Sequence, residues 1–334
     1  MPQTSISPLL KIAAIIIIIA GIMAAKSIVI PFLLALFITI MVAPLLLWLQ
    51  NRGIHSSLAL ISIMGIDLIL AGLLILLVSS SLHDFSANMP FYEAKMHTMM
   101  GSLTLFLNNN GIEFALADIK QIIDPSRIAT ATSSMVKGVG ALLADSFVIL
   151  LLVVFMLLEI SIFSKKIVAI HIDASSHIIA FLDSVKQYMF IKTLFSFVTG
   201  IIIYLGLLII GVDYALLWGV LAFLLNFIPN IGSIIAAVPA VLLALIQLGG
   251  FDALLTASLF IVVNIVIGSV IEPKYMGEGL GLSTLVVFIS LIFWGWVLGP
   301  VGMLLSIPLT IMIKLALQNS PEHKWVAILL DSKA

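Results

Sequence analysis

The chain has 334 residues, of which 62% are apolar and 9% charged, and its mean hydropathy is +1.30. Soluble domains carry about 45–50% apolar and about 25% charged residues, so this sequence lacks the charges to coat a water-facing surface. A net charge of −1 excludes the basic footprint of a nucleic-acid binder, and the absence of cysteine excludes disulfides and thiolate metal sites.

Apolar runs fall at 9–25, 27–49, 58–79, 141–163, 193–211, 214–247, 252–271 and 284–317. A spanning helix needs about 20 apolar residues, and a backbone in hydrocarbon must pair its own polar groups. These features predict an all-α integral membrane protein with about eight hydrophobic segments. Lys11 before Ile12–Ala20 imitates a signal peptide, but no small residue stands at −3 of Ala24-Ala25, so an uncleaved first span is expected. Only Lys26 separates the first two runs, which predicts a tight helical hairpin, giving three N-terminal spans over 1–79.

Residues 80–140 are more polar and contain Met89-Pro90, Asn108-Asn109-Asn110-Gly111 and Asp124-Pro125, all strong punctuators. Met96, Met99, Met100, Leu103 and Leu107 recur at helical spacing, so a small helical extramembrane region with a Met-rich core is expected. The fourth and fifth spans follow over 141–211. Between them Ile178, Leu182, Val185 and Met189 share a face, which predicts an interfacial amphipathic helix at 173–192. Lys192 opens the fifth run and is expected to snorkel to the interface.

Two segments have the wrong length. The runs 214–247 and 284–317 hold 34 residues each, about 51 Å as straight helices against a hydrocarbon core of about 30 Å. The first is interrupted by Asn226-Phe227-Ile228-Pro229-Asn230-Ile231-Gly232 and the second by Gly295-Trp296-Val297-Leu298-Gly299-Pro300-Val301-Gly302. Proline removes a backbone donor and glycine tolerates unusual dihedrals, so each segment is expected to form two half-helices around a non-helical point. Such breaks survive in hydrocarbon only if buried in protein or facing a water-filled cavity, and paired ones point to a transporter's binding region. Gly232 and Gly302 lie 70 positions apart, which hints at an internal repeat. Residues 212–317 thus read as a broken-helix transport core and 318–334 as a C-terminal tail.

Polar groups within the runs supply candidate chemistry. Asp67 sits mid-run between Ile66 and Leu68, where an ionised carboxylate costs roughly 2.5–3.5 kcal/mol unless paired, hydrated or protonated. It reads as an ion-coupling carboxylate or as a neutral acid bonded to a neighbouring helix. Asn264, Gly268 and Glu272 fall at i, i+4 and i+8 and so line one helical stripe, offering an amide, close backbone approach and a carboxylate. Asn226 and Asn230 flank Pro229 and can satisfy the backbone freed by the break or meet a hydroxylated ligand. The candidate transport positions are therefore Asp67, Asn226, Pro229, Asn230, Gly232, Asn264, Glu272, Gly299, Pro300 and Gly302.

Asn226–Gly232, Ile271-Glu272-Pro273-Lys274, and the run from Phe293-Trp294-Gly295 through Gly299-Pro300-Val301-Gly302 to Pro308-Leu309 resemble the AI-2E family of bacterial membrane transporters. The resemblance is most specific over 214–314. It implies export of the quorum-sensing signal autoinducer-2 or, as in other members, Na⁺/H⁺ antiport, and it strengthens a functional role for Glu272.

No Gly-Lys dipeptide occurs, so the phosphate-cradling loop of an ATP motor is absent, and neither HExxH nor GxSxG is present. Ser134–Lys137 matches SxxK without its companion motifs. The expectation is no enzyme and no cofactor, but a secondary transporter in the cell inner membrane exporting a small polar solute, with autoinducer-2 as the candidate. Its expected partners are the lipid bilayer, the solute, H⁺ or Na⁺, and further copies of itself as a homo-oligomer. The alternatives are a Na⁺/H⁺ antiporter and a non-transporting scaffold that uses Gly295-xxx-Gly299 for helix packing. Lys11, Arg52, Lys165, Lys166, Lys186, Lys314, Lys324 and Lys333 fall on one side, which places both termini in the cytoplasm.

Overall fold

The computed structural model describes residues 8–109, 146–169, 172–229, 231–276, 282–318 and 324–331. Among these residues every regular element is helical. Four helical stretches are long and apolar enough to cross a bilayer by length and composition: Lys26–Asn51, Ser56–Phe85, Leu182–Ile210 and Gly250–Tyr275. Leu73, Leu76, Leu205 and Leu208 on these stretches are exposed, as a surface in contact with lipid tails requires.

The chain divides into two compact units, the first comprising Met1–Met64, Phe147–Phe190 and Met276–Ala334, the second Gly65–Ser146 and Ile191–Tyr275. Helix α1 (Pro8–Ala24) leads into α2 (Lys26–Asn51) through one residue, Ala25, with φ −93° and ψ 11°. Hydrogen bonds from Ala25 to Gly21 and from Val29 to Ala25 keep the helical ladder running through this point. The expected hairpin is therefore a bend, because one near-helical residue cannot reverse the chain.

Helix α3 (Ser56–Asn109) runs 54 residues without interruption, Pro90 included. Helix α3 thus continues directly past residue 80, and Met96 is buried in a core shared with Phe85, Tyr92 and Trp218. Residues 110–140 of that region lie outside the described residues. Helix α4 (Ser146–Ala169) is followed by α5 (Ile172–Ile210), which forms a single helix of 39 residues. No separate interfacial helix exists at 173–192: no glycine or proline interrupts the join, and Val185, Tyr188 and Met189 are buried in protein rather than laid on a bilayer surface.

Both long segments are broken. The first forms α6 (Ala215–Leu225) and α7 (Gly232–Gln247). Next come α8 (Gly250–Val263), a π-helix at Asn264–Ile271 and the short α9 (Glu272–Met276). The second long segment forms α10 (Thr284–Leu298), α11 (Pro300–Leu304) and α12 (Ser306–Gln318), and α13 (Lys324–Leu330) ends the described chain.

Within the first unit, Ala35, Leu46, Ala59, Ile63, Val153 and Leu157 form one core, and Phe37, Tyr188, Leu298, Leu305 and Leu309 belong to another. The core of the second unit is built on Trp218, Leu217, Leu221, Ile203, Leu207, Phe85 and Tyr92, with Ala236, Ala240 and Ala244 as the small face of α7. Alanines four apart give α7 a flat stripe that lets neighbouring backbones approach closely.

Candidate functional site

The broken segment of the second unit returns to the side from which it started. Gln247, the last residue of α7, accepts the Asp213 amide on Oε1 at 2.9 Å and donates from Nε2 to the Gly211 carbonyl at 3.2 Å. Asp213 immediately precedes the first half-helix, so both ends of the segment lie together and the segment is a re-entrant hairpin. At about 1.5 Å per residue neither the 11-residue α6 nor the 16-residue α7 crosses a 30 Å core alone.

Its tip is made by the residues that the sequence singled out. The Ile228 amide bonds the Leu225 carbonyl at 2.8 Å, and the Ile231 amide bonds the Pro229 carbonyl at 2.7 Å. A Cβ on Gly232 would stand 1.7 Å from the Leu225 carbonyl oxygen, so only glycine allows the second half-helix to begin there. Asn230 lies outside the described residues. Asn226 caps α6, is 7% exposed, and donates from Nδ2 to Ser196 Oγ at 3.0 Å. Ser196 stands in the middle of the apolar Leu182–Ile210 stretch, so the bond holds the tip against the midpoint of that helix.

One turn before Ser196, Lys192 Nζ meets Glu272 Oε1 at 2.6 Å, with both side chains 7% exposed. This corrects the expectation that Lys192 snorkels; its stem points inward and its ammonium has a buried counter-charge. Lys192, Ser196 and Thr199 follow at i, i+4 and i+7 and are all buried, so α5 carries a polar stripe on its inner face. Thr199 Oγ1, Thr256 Oγ1 and Glu272 Oε2 are buried without a hydrogen-bond partner among the described residues. Sequence reasoning passed over Ser196, Thr199 and Thr256, although the spacing of Lys192, Ser196 and Thr199 inside an apolar span was the available signal.

Asn264 and Glu272 serve different neighbours. The widened turn of the π-helix begins at Asn264 and ends just before Glu272, so the regular stripe expected from i, i+4 and i+8 is rewound. Asn264 Oδ1 covers Gly268, and Asn264 also joins Ser233, Ala237, Val241, Phe260 and others in lining a cavity of about 350 Å³. Asp67 is half-buried among the exposed Ile66, Leu68 and Ile69 and has no partner among the described residues.

Opposite the tip, α3 clamps the base of the hairpin. Tyr92 Oη donates to Asp213 Oδ2 at 2.6 Å, Tyr214 Oη donates to the Asp84 carbonyl at 3.0 Å, and Lys95 donates to the Gln247 carbonyl. Phe85 meets the rings of Tyr214 and Trp218 edge-on. Burial, followed by the hydrogen bond to Asp213, pushes the Tyr92 phenol above its ordinary range.

The first unit holds a second hairpin built by the same device. Gly299 adopts φ 72°, Pro300 opens α11, and a Cβ on Gly302 would stand 2.0 Å from the Trp294 carbonyl oxygen. Trp294 Nε1 donates to Thr310 Oγ1 across the hairpin at 3.1 Å. Both ends meet the C-terminal segment: the Ser283 amide bonds the Leu330 carbonyl at 3.2 Å and Lys314 Nζ bonds Asp331 Oδ2 at 2.9 Å. Gly295 packs on Met303 of its own hairpin, and Gly299 is the turn, so Gly295-xxx-Gly299 is spent inside the subunit.

These half-helix hairpins accompany a full-length match to known proteins. A family model described as AI-2E family transporter matches residues 12–322. The AI-2 transport protein TqsA of Escherichia coli K12 is 38% identical over 325 residues, covering 96% of this chain and 94% of the relative. A Haemophilus influenzae protein is 40% identical over 333 residues, covering 96% and 95%. A sodium-lithium/proton antiporter of Halobacillus andaensis is 23% identical over 324 residues, covering 89% and 90%. The chain is a helical membrane protein and belongs to the AI-2E transporter family.

Proposed function

We propose that the protein is a secondary transporter that exports a small polar solute, with autoinducer-2 as the candidate, along the polar interior of the second unit. One observation carries this reading: Asn226, at the tip of a re-entrant hairpin, is buried and bonded to Ser196 one turn from the buried Lys192–Glu272 pair. A fold held only by apolar packing gains nothing from charges taken out of water, because desolvation offsets much of their attraction. Polar groups gathered where the backbone leaves the helix instead give a hydroxylated solute donors and acceptors in place of water. Asn226, Pro229, Gly232, Asn264 and Glu272 keep the roles proposed from sequence, and Lys192 and Ser196 join them. Gly299, Pro300 and Gly302 are assigned to the second hairpin.

The name of the TqsA relative supports autoinducer-2 as cargo. In cells, deletion of the gene is expected to raise intracellular autoinducer-2 and overexpression to lower it. In liposomes, the purified protein is expected to accelerate autoinducer-2 efflux in response to an imposed ion gradient. Unchanged partitioning in both strains removes that cargo.

Na⁺/H⁺ antiport is the second reading, supported by the Halobacillus andaensis relative and by the charged pair in the membrane. Dye-reported proton movement driven by sodium alone, without organic solute, would favour it.

A further inference from the structure

Three features of the second unit meet around Glu272. Its Oε1 holds Lys192, while its Oε2 is buried and without a partner among the described residues. The stretch leading into it, Asn264–Ile271, is π-helical, and such turns recur at functional sites because rewinding to regular helix shifts the residues that follow. Lys192 is one turn from Ser196, which holds the hairpin tip through Asn226.

On the reading that this unit transports, we propose that Glu272 is the proton-binding site of the transport cycle and that proton uptake at its free oxygen releases the hairpin tip. A proton needs no cavity and a single lone pair, which Oε2 offers. While Glu272 is a carboxylate, the pair is neutral and the tip is held. Uptake of one proton forms an O–H bond at Oε2 and cancels the carboxylate charge, leaving the Lys192 ammonium buried without a counter-charge, an arrangement strongly disfavoured in a protein interior.

Among the described residues, no carboxylate other than Glu272 is bonded to Lys192. Helices α6 and α7 contain no charged residue, and Asp252 lies in the first turn of α8, at the far end of the same helical run. On α3, Asp84 and Lys95 engage the base of the hairpin. Lys274 and Tyr275 follow Glu272 and are exposed. Lys192 therefore withdraws, α5 moves relative to the rewinding π-helix, and Ser196 lets go of Asn226. Release of that proton to the other side restores the pair and closes the tip. One proton enters, one leaves, and no other bond is made or broken.

The test uses the absence of cysteine. Phe227→Cys places a thiol at the tip of the full chain in liposomes, and its alkylation is followed in acid and alkaline buffer, each rate normalised to the same protein unfolded in detergent. The normalised rate is expected to rise on the order of tenfold from alkaline to acid, a population shift within what an unpaired buried charge drives. Adding Glu272→Gln, which imitates the protonated acid, makes the tip reactive in both buffers. Adding Lys192→Gln with Glu272→Gln removes both charges and makes it unreactive in both. A flat response in the parent, a pH response that persists in either variant, or opening by sodium rather than acid overturns the proposal. If the single glutamine variant does not fold, the double variant decides. Autoinducer-2 efflux from the same vesicles is read separately, so loss of the export reading and loss of the proton site are distinguishable.

Discussion

Gln247 and Asp213 are joined by a 2.9 Å hydrogen bond although a 33-residue broken segment separates them. That one contact turns a segment of ambiguous length into a hairpin whose two ends lie together. Single cysteines at Asp213 and Leu248 are therefore expected to react with an impermeant reagent from one side, and one at Lys274 from the other, after the single crossing by Gly250–Tyr275. A kinked single span would separate 213 from 248.

Gly232 and Gly302 each sit against a backbone carbonyl, at 1.7 and 2.0 Å from where a Cβ would be. A flexible side chain could move aside, but a carbonyl in a helix cannot without opening its turn. Gly232→Ala and Gly302→Ala are each expected to destabilise by about 1–3 kcal/mol or more, as overpacking does. Gly65→Ala, with open space at its Cβ, is the matched control and lowers the melting temperature little. Equal melting temperatures for Gly232→Ala and Gly65→Ala would refute the tight approach.

Much of this was legible in the sequence, for reasons that particular residues make plain. Breaks at Asn226–Gly232 and Gly299-Pro300 declare themselves because proline and glycine change what the backbone can do locally. What the hairpin does next depends on a glutamine meeting an amide 34 positions away, and no local pattern encodes that. Lys192 was misread because a lysine near the end of an apolar run can point either way, and only its pairing with Glu272, 80 positions on, decides. The interfacial helix at 173–192 failed for a related reason: an amphipathic face looks the same whether lipid headgroups or a protein core covers it. The π-helix is likewise hidden, since the stripe Asn264, Gly268, Glu272 presumes regular winding.

Tyr92 fastens the base of the hairpin by donating to the Asp213 carboxylate at 2.6 Å, outside the membrane-spanning stretch of α3. A hydrogen bond to a charged group contributes about 1.5–3 kcal/mol, so Tyr92→Phe is expected to lose about that much stability. The phenol is held above its ordinary value of about 10 by burial and by Asp213. The folded protein thus keeps a proton that the unfolded chain gives up above about pH 10, so this stabilisation is full below that pH and declines as pH rises through and beyond it. Thermal melts across that range should show the advantage of the parent over Tyr92→Phe shrinking as pH rises. A constant difference would show that the phenol is not protected.

Asp67 makes the opposite case, a carboxyl inside the Ser56–Phe85 stretch with no partner among the described residues. A structural acid in hydrocarbon is retained by its partner, and removing it breaks a bond. An acid kept for ion handling stabilises nothing and carries the cost of its own burial, roughly 2.5–3.5 kcal/mol when ionised. Asp67→Asn is therefore expected to melt at the same or a higher temperature than the parent, while autoinducer-2 efflux slows. Because the proton site is assigned to Glu272, the remaining efflux should still respond to an imposed proton gradient. A variant that melts markedly lower would mean that Asp67 is held by an interaction and serves the fold. A variant with full speed and unchanged stability would leave the carboxyl without a part in transport.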